Sequence, residues 1–134
     1  QMERLRHYHF LVDGPVPPRY SRIHSTKTLP FSFKTLLASV DIIMTKPGYG
    51  TIVEAVALRQ PVVYVRRYTF ADEPPLVDYL HRYGHSVELS IDDFTQGRWE
   101  PALQRALPVS LPLSPPPLTG AAEAADVIVR AWSF

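Results

Sequence analysis

An α/β fold, with a doubly wound and mostly parallel sheet flanked by helices, is what this sequence predicts, and three features predict it. Short apolar runs rich in β-branched residues alternate with segments of helix length. The clearest of these runs, residues 42–44, leads directly into a glycine turn and a helical stretch. The chain has 134 residues, enough for one core burying roughly two thirds of the unfolded surface, so a single domain is expected.

Strands are expected at residues 10–12, 42–44, 62–65 and 87–89, with a weaker candidate at Ile23. Helices are expected at residues 33–39, 51–59 and 76–83. Their alternation implies parallel neighbours joined by right-handed crossovers. Asp72 ahead of Pro74 and Pro75 reads as an N-cap followed by early prolines, and Gly84 after Tyr83 as a left-handed C-cap. Trp99, Leu103 and Leu107 recur every four residues on a further helix, and residues 121–132 form another. Both should pack on the sheet or on a partner. Residues 108–117 hold five of the fourteen prolines and read as an extended connector.

Composition narrows the function classes. Fourteen Lys and Arg against thirteen Asp and Glu leave a formal charge of +1, so no broad field favours nucleic acid or an anionic membrane. Any anion must be held locally. The absence of cysteine excludes disulfides, thiolate zinc sites and a cysteine nucleophile, and fits a cytoplasmic setting. No apolar run approaches the roughly 20 residues that span a bilayer, so the chain is expected not to be transmembrane. The histidines, His7, His9, His24, His81 and His85, form no histidine–glutamate zinc motif, and no metal is expected. His81 and His85 should end a helix.

The residues that carry chemistry begin at KPGYGTIVEA, where a strand runs through Lys46 and Pro47 into a turn with Gly48, Tyr49, Gly50 and Thr51. Backbone N–H groups at such a helix start lack intrahelical partners, and the helix dipole adds partial positive charge. A diphosphate is the natural guest. Glu54 stands four residues after Gly50, its carboxylate about 6 Å behind the anion site by helix rise. Two readings are open there. Glu54 either accepts the 2′ and 3′ hydroxyls of a ribose, or closes a capping box with Thr51. The next strand leads into RRYTFADEPPL, which brings Arg66 and Arg67 to the same edge to neutralise phosphate, and Asp72 and Glu73 to accept sugar hydroxyls. The plainer alternatives are a helix cap for Asp72 and surface ion pairs for the arginines.

Taken together, LLASVDIIMTKPGYGTIVEAVALRQPVVYVRRYTFADEPPL resembles the nucleotide-binding core of GT-B glycosyltransferases. The likeness is to the branch holding the peptidoglycan N-acetylglucosaminyltransferase and the glycosyltransferase-like segment of arabinokinases. It runs over residues 9–107, with FLVDGP and RWEPALQRAL also fitting, and is most specific over residues 41–76. It implies a Rossmann-like C-terminal domain that binds a nucleoside-diphosphate sugar, a UDP-sugar, as donor, with no cofactor and no metal. By position it implies that Gly48, Tyr49, Gly50 and Thr51 hold the diphosphate, that Glu54 binds the ribose, and that Asp72 and Glu73 meet the sugar. Glu73 departs from the glutamine common there. An N-terminal acceptor-binding domain, the usual source of the general base, is implied as a partner; without it the isolated domain should be inactive. A noncatalytic nucleotide-sugar-binding or interaction module is the alternative.

The resemblance also implies an opening strand, and the chain is expected to begin after it, which would leave a gap between residues 10–12 and 42–44. Direct pairing of those two strands is the favoured expectation, because it needs no partner; a second chain or another segment in the slot is the other.

Overall fold

The computed structural model describes residues 2–108 and 113–132. Its chain order is β1 (Phe10–Val12), β2 (Ile23–Ser25), α1 (Phe33–Ser39), β3 (Ile43–Thr45), α2 (Tyr49–Ala57), β4 (Val62–Tyr64), α3 (Glu73–Tyr83), β5 (Ser86–Glu88), α4 (Ile91–Gln96), α5 (Glu100–Ala106) and α6 (Gly120–Trp132). The fold is α/β with parallel strands flanked by helices, in a Rossmann-like arrangement.

The strands form two ladders. β3, β4 and β5 make a parallel three-stranded sheet in that order, in the register Ile43 to Val62 to Ser86. β1 and β2 make a separate parallel pair. The expected direct pairing of residues 10–12 with 42–44 is therefore corrected. Among the described residues no ladder joins β1 to β3, because β1 takes its partner from the run at Ile23 that looked weakest in sequence. The two sheets are held by side chains instead. Phe10, Ile42 and Met44 all pack on one cluster around Leu5, Val63, Leu89, Trp99, Ala102, Leu103 and Ala106.

β4 is central and buried on both faces, which explains its unbroken Val-Val-Tyr sequence. Val62 and Tyr64 face a layer built by α1, α2 and α3 from Leu37, Ile52, Ala55, Val56, Leu76, Val77 and Leu80. Val63 points the other way, to α5. Ser32 caps α1 by accepting the Thr35 N–H, and Ser90 caps α4 by accepting that of Asp93. Of the expected α5 repeat, Trp99 and Leu103 are buried while Leu107 lies past the helix end and is exposed. α6 forms as expected, but none of its residues is buried, with Trp132 81 % exposed. The connector reading falls partly on residues 109–112, outside the described residues.

Gly84 is at the expected C-cap but not in the expected left-handed conformation: its backbone is extended, with φ −112° and ψ 170°. Space, not φ, demands glycine there. A Cβ at Gly84 would meet Leu80 Cδ1 at 2.9 Å, the Leu80 carbonyl oxygen at 3.0 Å and Val56 Cγ2 at 3.0 Å. The left-handed cap belongs to Gly97, which ends α4 with φ 72°. Gly84→Ala should lower the unfolding free energy by about 1–3 kcal/mol through overpacking between α2 and α3, measured by urea titration.

Candidate functional site

Parallel strands deliver their carboxyl ends to one edge, so the loops after β3, β4 and β5 are neighbours there. The loop after β3 holds Lys46, Pro47 and Gly48, with Lys46 exposed and Pro47 buried. Gly48 is the N-cap of α2, in extended backbone with φ −154° and ψ 141°, and no side chain caps the helix. The first bond to the Gly48 carbonyl comes from Ile52 N–H. The amides of Tyr49, Gly50 and Thr51 are therefore the orphan donors of a nine-residue helix.

This placement settles one alternative. α2 starts at Tyr49, two residues earlier than expected, so Glu54 lies in the second turn and the capping box with Thr51 does not form. Glu54 is half-buried, and neither its carboxylate nor the Thr51 hydroxyl has a hydrogen-bond partner among the described residues.

Neither Gly48 nor Gly50 is required by the fold. Both lie outside the positive-φ region, and a Cβ added to either meets nothing within 4 Å. Gly50 inside a helix costs roughly 0.5–1 kcal/mol relative to alanine. The space beside both glycines is thus open.

The loop after β4 is organised by Glu73, the first residue of α3, which is 1 % exposed. Its Oε1 accepts from Arg66 Nε at 3.2 Å, and the Arg67 backbone N–H reaches Oε2 at 2.9 Å and Oε1 at 3.1 Å. Burial pushes the Glu73 carboxyl up, but the Arg67 N–H and the Arg66 guanidinium outweigh it and hold the pKa below its ordinary value. Arg67 reaches on to the glycine turn. Its Nη2 donates to the Pro47 carbonyl at 3.0 Å while its guanidinium stacks 3.6 Å from the Phe70 ring centroid. The structure thus brings together the turn, Arg66, Arg67 and Glu73. Asp72 occupies the N-cap position of α3 without capping it, and is exposed. Glu73, by contrast, is committed to the arginines and does not present itself to a ligand.

A second polar group went unread in the sequence. The Tyr64 hydroxyl lies 2.7 Å from His81 Nε2 and donates to Glu88 Oε2 at 3.3 Å, while the Tyr68 hydroxyl donates to Glu88 Oε1 at 2.8 Å. Burial, with Glu88 close by, pushes the Tyr64 phenol well above its ordinary value. Its signal was a tyrosine in an otherwise apolar buried strand, whose hydroxyl must find partners. Among the described residues there is no group of three or more metal-ligating side chains, and no helix is long and apolar enough to cross a membrane.

Glu73→Ala should cost about 2–4 kcal/mol, because it strands two arginines and a buried N–H. With its folded pKa below the ordinary 4.5, the Glu73 contribution is complete above pH 4.5 and is lost as pH falls through the folded value. Urea midpoints measured from pH 7 to pH 3 should therefore fall more steeply for the wild type than for Glu73→Gln.

No family model matches the chain. It is 35 % identical over 92 residues to the L-arabinokinase of Arabidopsis thaliana, a match covering 69 % of this chain and 8 % of that protein. The chain therefore spans a small part of the relative. Among solved structures, the glycosyltransferase SnogD from Streptomyces nogalater matches at 22 % identity over 85 % of this chain and 31 % of that one, with a TM-score of 0.40, a likeness too weak to bear on fold or function. The resemblance over residues 9–107, which pointed to arabinokinases among others, is thus met by an arabinokinase.

Proposed function

We propose that the turn from Lys46 to Thr51 binds the diphosphate of a nucleotide sugar, a UDP-sugar, and that the chain is the donor-binding half of a glycosyltransferase. The observation that carries this reading is the pair Gly48 and Gly50, which serve neither backbone conformation nor internal packing and stand in open space at a helix start with three orphan amides. Phosphate oxygens accept from the N–H groups of Tyr49, Gly50 and Thr51. Arg67, held at the turn by the Pro47 carbonyl and stacked on Phe70, offsets charge on the departing diphosphate without reorganising. The unpartnered Glu54 carboxylate accepts the ribose hydroxyls, and exposed Asp72 is an acceptor for the sugar. No described residue is assigned as the base that deprotonates an acceptor, so transfer requires an acceptor-binding domain and the isolated chain has no transfer activity. One observation favours the second reading, a noncatalytic nucleotide-sugar-binding module: Glu73, which the resemblance placed on the sugar, is withdrawn into an ion-pair cluster.

Stability and binding should move in opposite directions at Gly50. Gly50→Ala is expected to raise the unfolding free energy by about 0.5–1 kcal/mol while weakening UDP binding, since the new methyl occupies the reserved space. UDP titration followed by amide NMR should shift Gly48, Gly50 and Thr51 in the wild type. If those amides stay still at saturation while others move, the anion site is rejected. Glu54→Gln should leave stability unchanged, there being no capping box to lose, and weaken UDP binding by about three- to tenfold. Unchanged affinity would mean that the carboxylate does not touch the nucleotide.

A further inference from the structure

β1 and β2 are parallel neighbours, yet the connection between them, Asp13 to Arg22, holds no helix. Parallel strands are ordinarily joined by a crossover of about a dozen residues or more, whose helix covers one face of the pair. Here Gly14, Pro15, Pro17 and Pro18 carry the chain across without one. Phe10, Val12 and Ile23 share a face, and Phe10 meets Trp99 edge-on with ring centroids 6.3 Å apart. Val12 and Ile23 are only half-buried. Beside them lies a hollow of about 320 Å³, lined also by Met2, Val16, Tyr20 and Trp99.

α6 has the opposite deficiency. It is 13 residues long and none of them is buried. Ala121, Ala125, Ile128 and Trp132 fall on one stripe in the i, i+4, i+7, i+11 pattern, while Glu123, Asp126 and Arg130 fall on the other side. Ile128 is 56 % exposed and Trp132 81 %. A stripe of that kind is stable against an apolar face, and the face over β1 and β2 lacks a helix. We propose that α6 of one copy of this chain docks in the hollow of a second copy, supplying the helix that the β1–β2 crossover lacks, so that two copies exchange helices about a two-fold axis.

Shape, charge and tether favour this occupant. Ala121 and Ala125 let the helix axis approach the strands, and Ile128 and Trp132 supply the bulk that fills the hollow. The segment lining the hollow carries Arg22 and Arg19, the latter stacked 4.9 Å from the Tyr20 ring centroid, against the single acid Glu3. On α6 the balance is reversed, with Glu123 and Asp126 against Arg130. The five prolines of residues 108–117 make a stiff tether, which carries α6 away from its own body and favours exchange over folding back. In a two-fold pair the contact is made twice, which doubles the area buried. The hollow shares no residue with the turn from Lys46 to Thr51, so the pairing stands apart from the anion site.

Sedimentation equilibrium of the 134-residue chain at concentrations up to about 1 mM, together with tryptophan fluorescence, tests this. The two tryptophans are Trp99, which is already buried, and Trp132, so a blue shift on raising the concentration reports the docking of Trp132. A dimer with that shift is expected. Ile128→Asp lies on an exposed helix and Val16→Arg in a half-buried loop, so both spare the core, and each should weaken association by about tenfold or more. Mixed, the two variants should associate more tightly than either alone, because the mixture restores one intact helix facing one intact hollow. A chain that stays monomeric throughout overturns the proposal. So does a monomer whose Trp132 is already shielded from acrylamide, which places α6 on its own body. Val16→Arg dimerising like the wild type while Ile128→Asp does not means that helix pairs with helix, and overturns it equally.

Discussion

The buried carboxylate of Glu73 is the constraint on which the candidate site depends. It starts α3 under the loop after β4, so the helix dipole and the Arg67 N–H both favour its negative charge. In return it sets the direction of two arginines. Arg66 turns towards β5 and Arg67 towards the glycine turn, where its guanidinium bonds the Pro47 carbonyl. A lone buried carboxylate would be costly, and two adjacent arginines without an acid would repel each other and any third cation. As a cluster the three carry one net positive charge, placed beside the start of α2, which no side chain caps. The charge is local, which is what a chain of formal charge +1 needs in order to hold an anion.

The glycine turn adds the complementary feature. Gly84 is fixed by its neighbours Leu80 and Val56, and Gly97 by its positive φ, so both are explained by folding alone. Gly48 and Gly50 are not. Their cost is entropic, and no packing contact among the described residues offsets it.

Much of the fold was legible because strand and helix periods differ so plainly. The apolar runs at residues 10–12 and 62–65, the bounds of α1 and the weak strand at Ile23 were all readable from side-chain type. The start of α2 was not. Thr51 is the better cap by chemistry, yet the helix begins two residues earlier, with extended backbone at Gly48 as its N-cap, which removed the apparent capping box. The site was legible as a set of residues on one sheet edge but not as a network, since which carboxylate is buried depends on packing. Asp72 and Glu73 are neighbours in sequence. One is exposed and the other 1 % exposed, a division that a helix start facing the core imposes and that no motif encodes.

The split between the two sheets bears on what the site requires. β1 and β2 contribute Phe10 to the cluster under α5, on the face of β4 opposite to α1, α2 and α3. No backbone ladder transmits strain from that pair to β3 among the described residues, so the turn after β3 draws its geometry from the three-stranded unit. Within that unit Ile43 is locked to Val62, and Val62 to Ser86, by parallel hydrogen bonding, while Ile52, Ala55 and Val56 anchor α2 to the layer below. The orphan amides of α2 are therefore placed by the three-stranded sheet together with α1 and α3, which share its core cluster. The edge of β3 left open towards β1 changes the sheet, but not the position of the orphan amides at the start of α2.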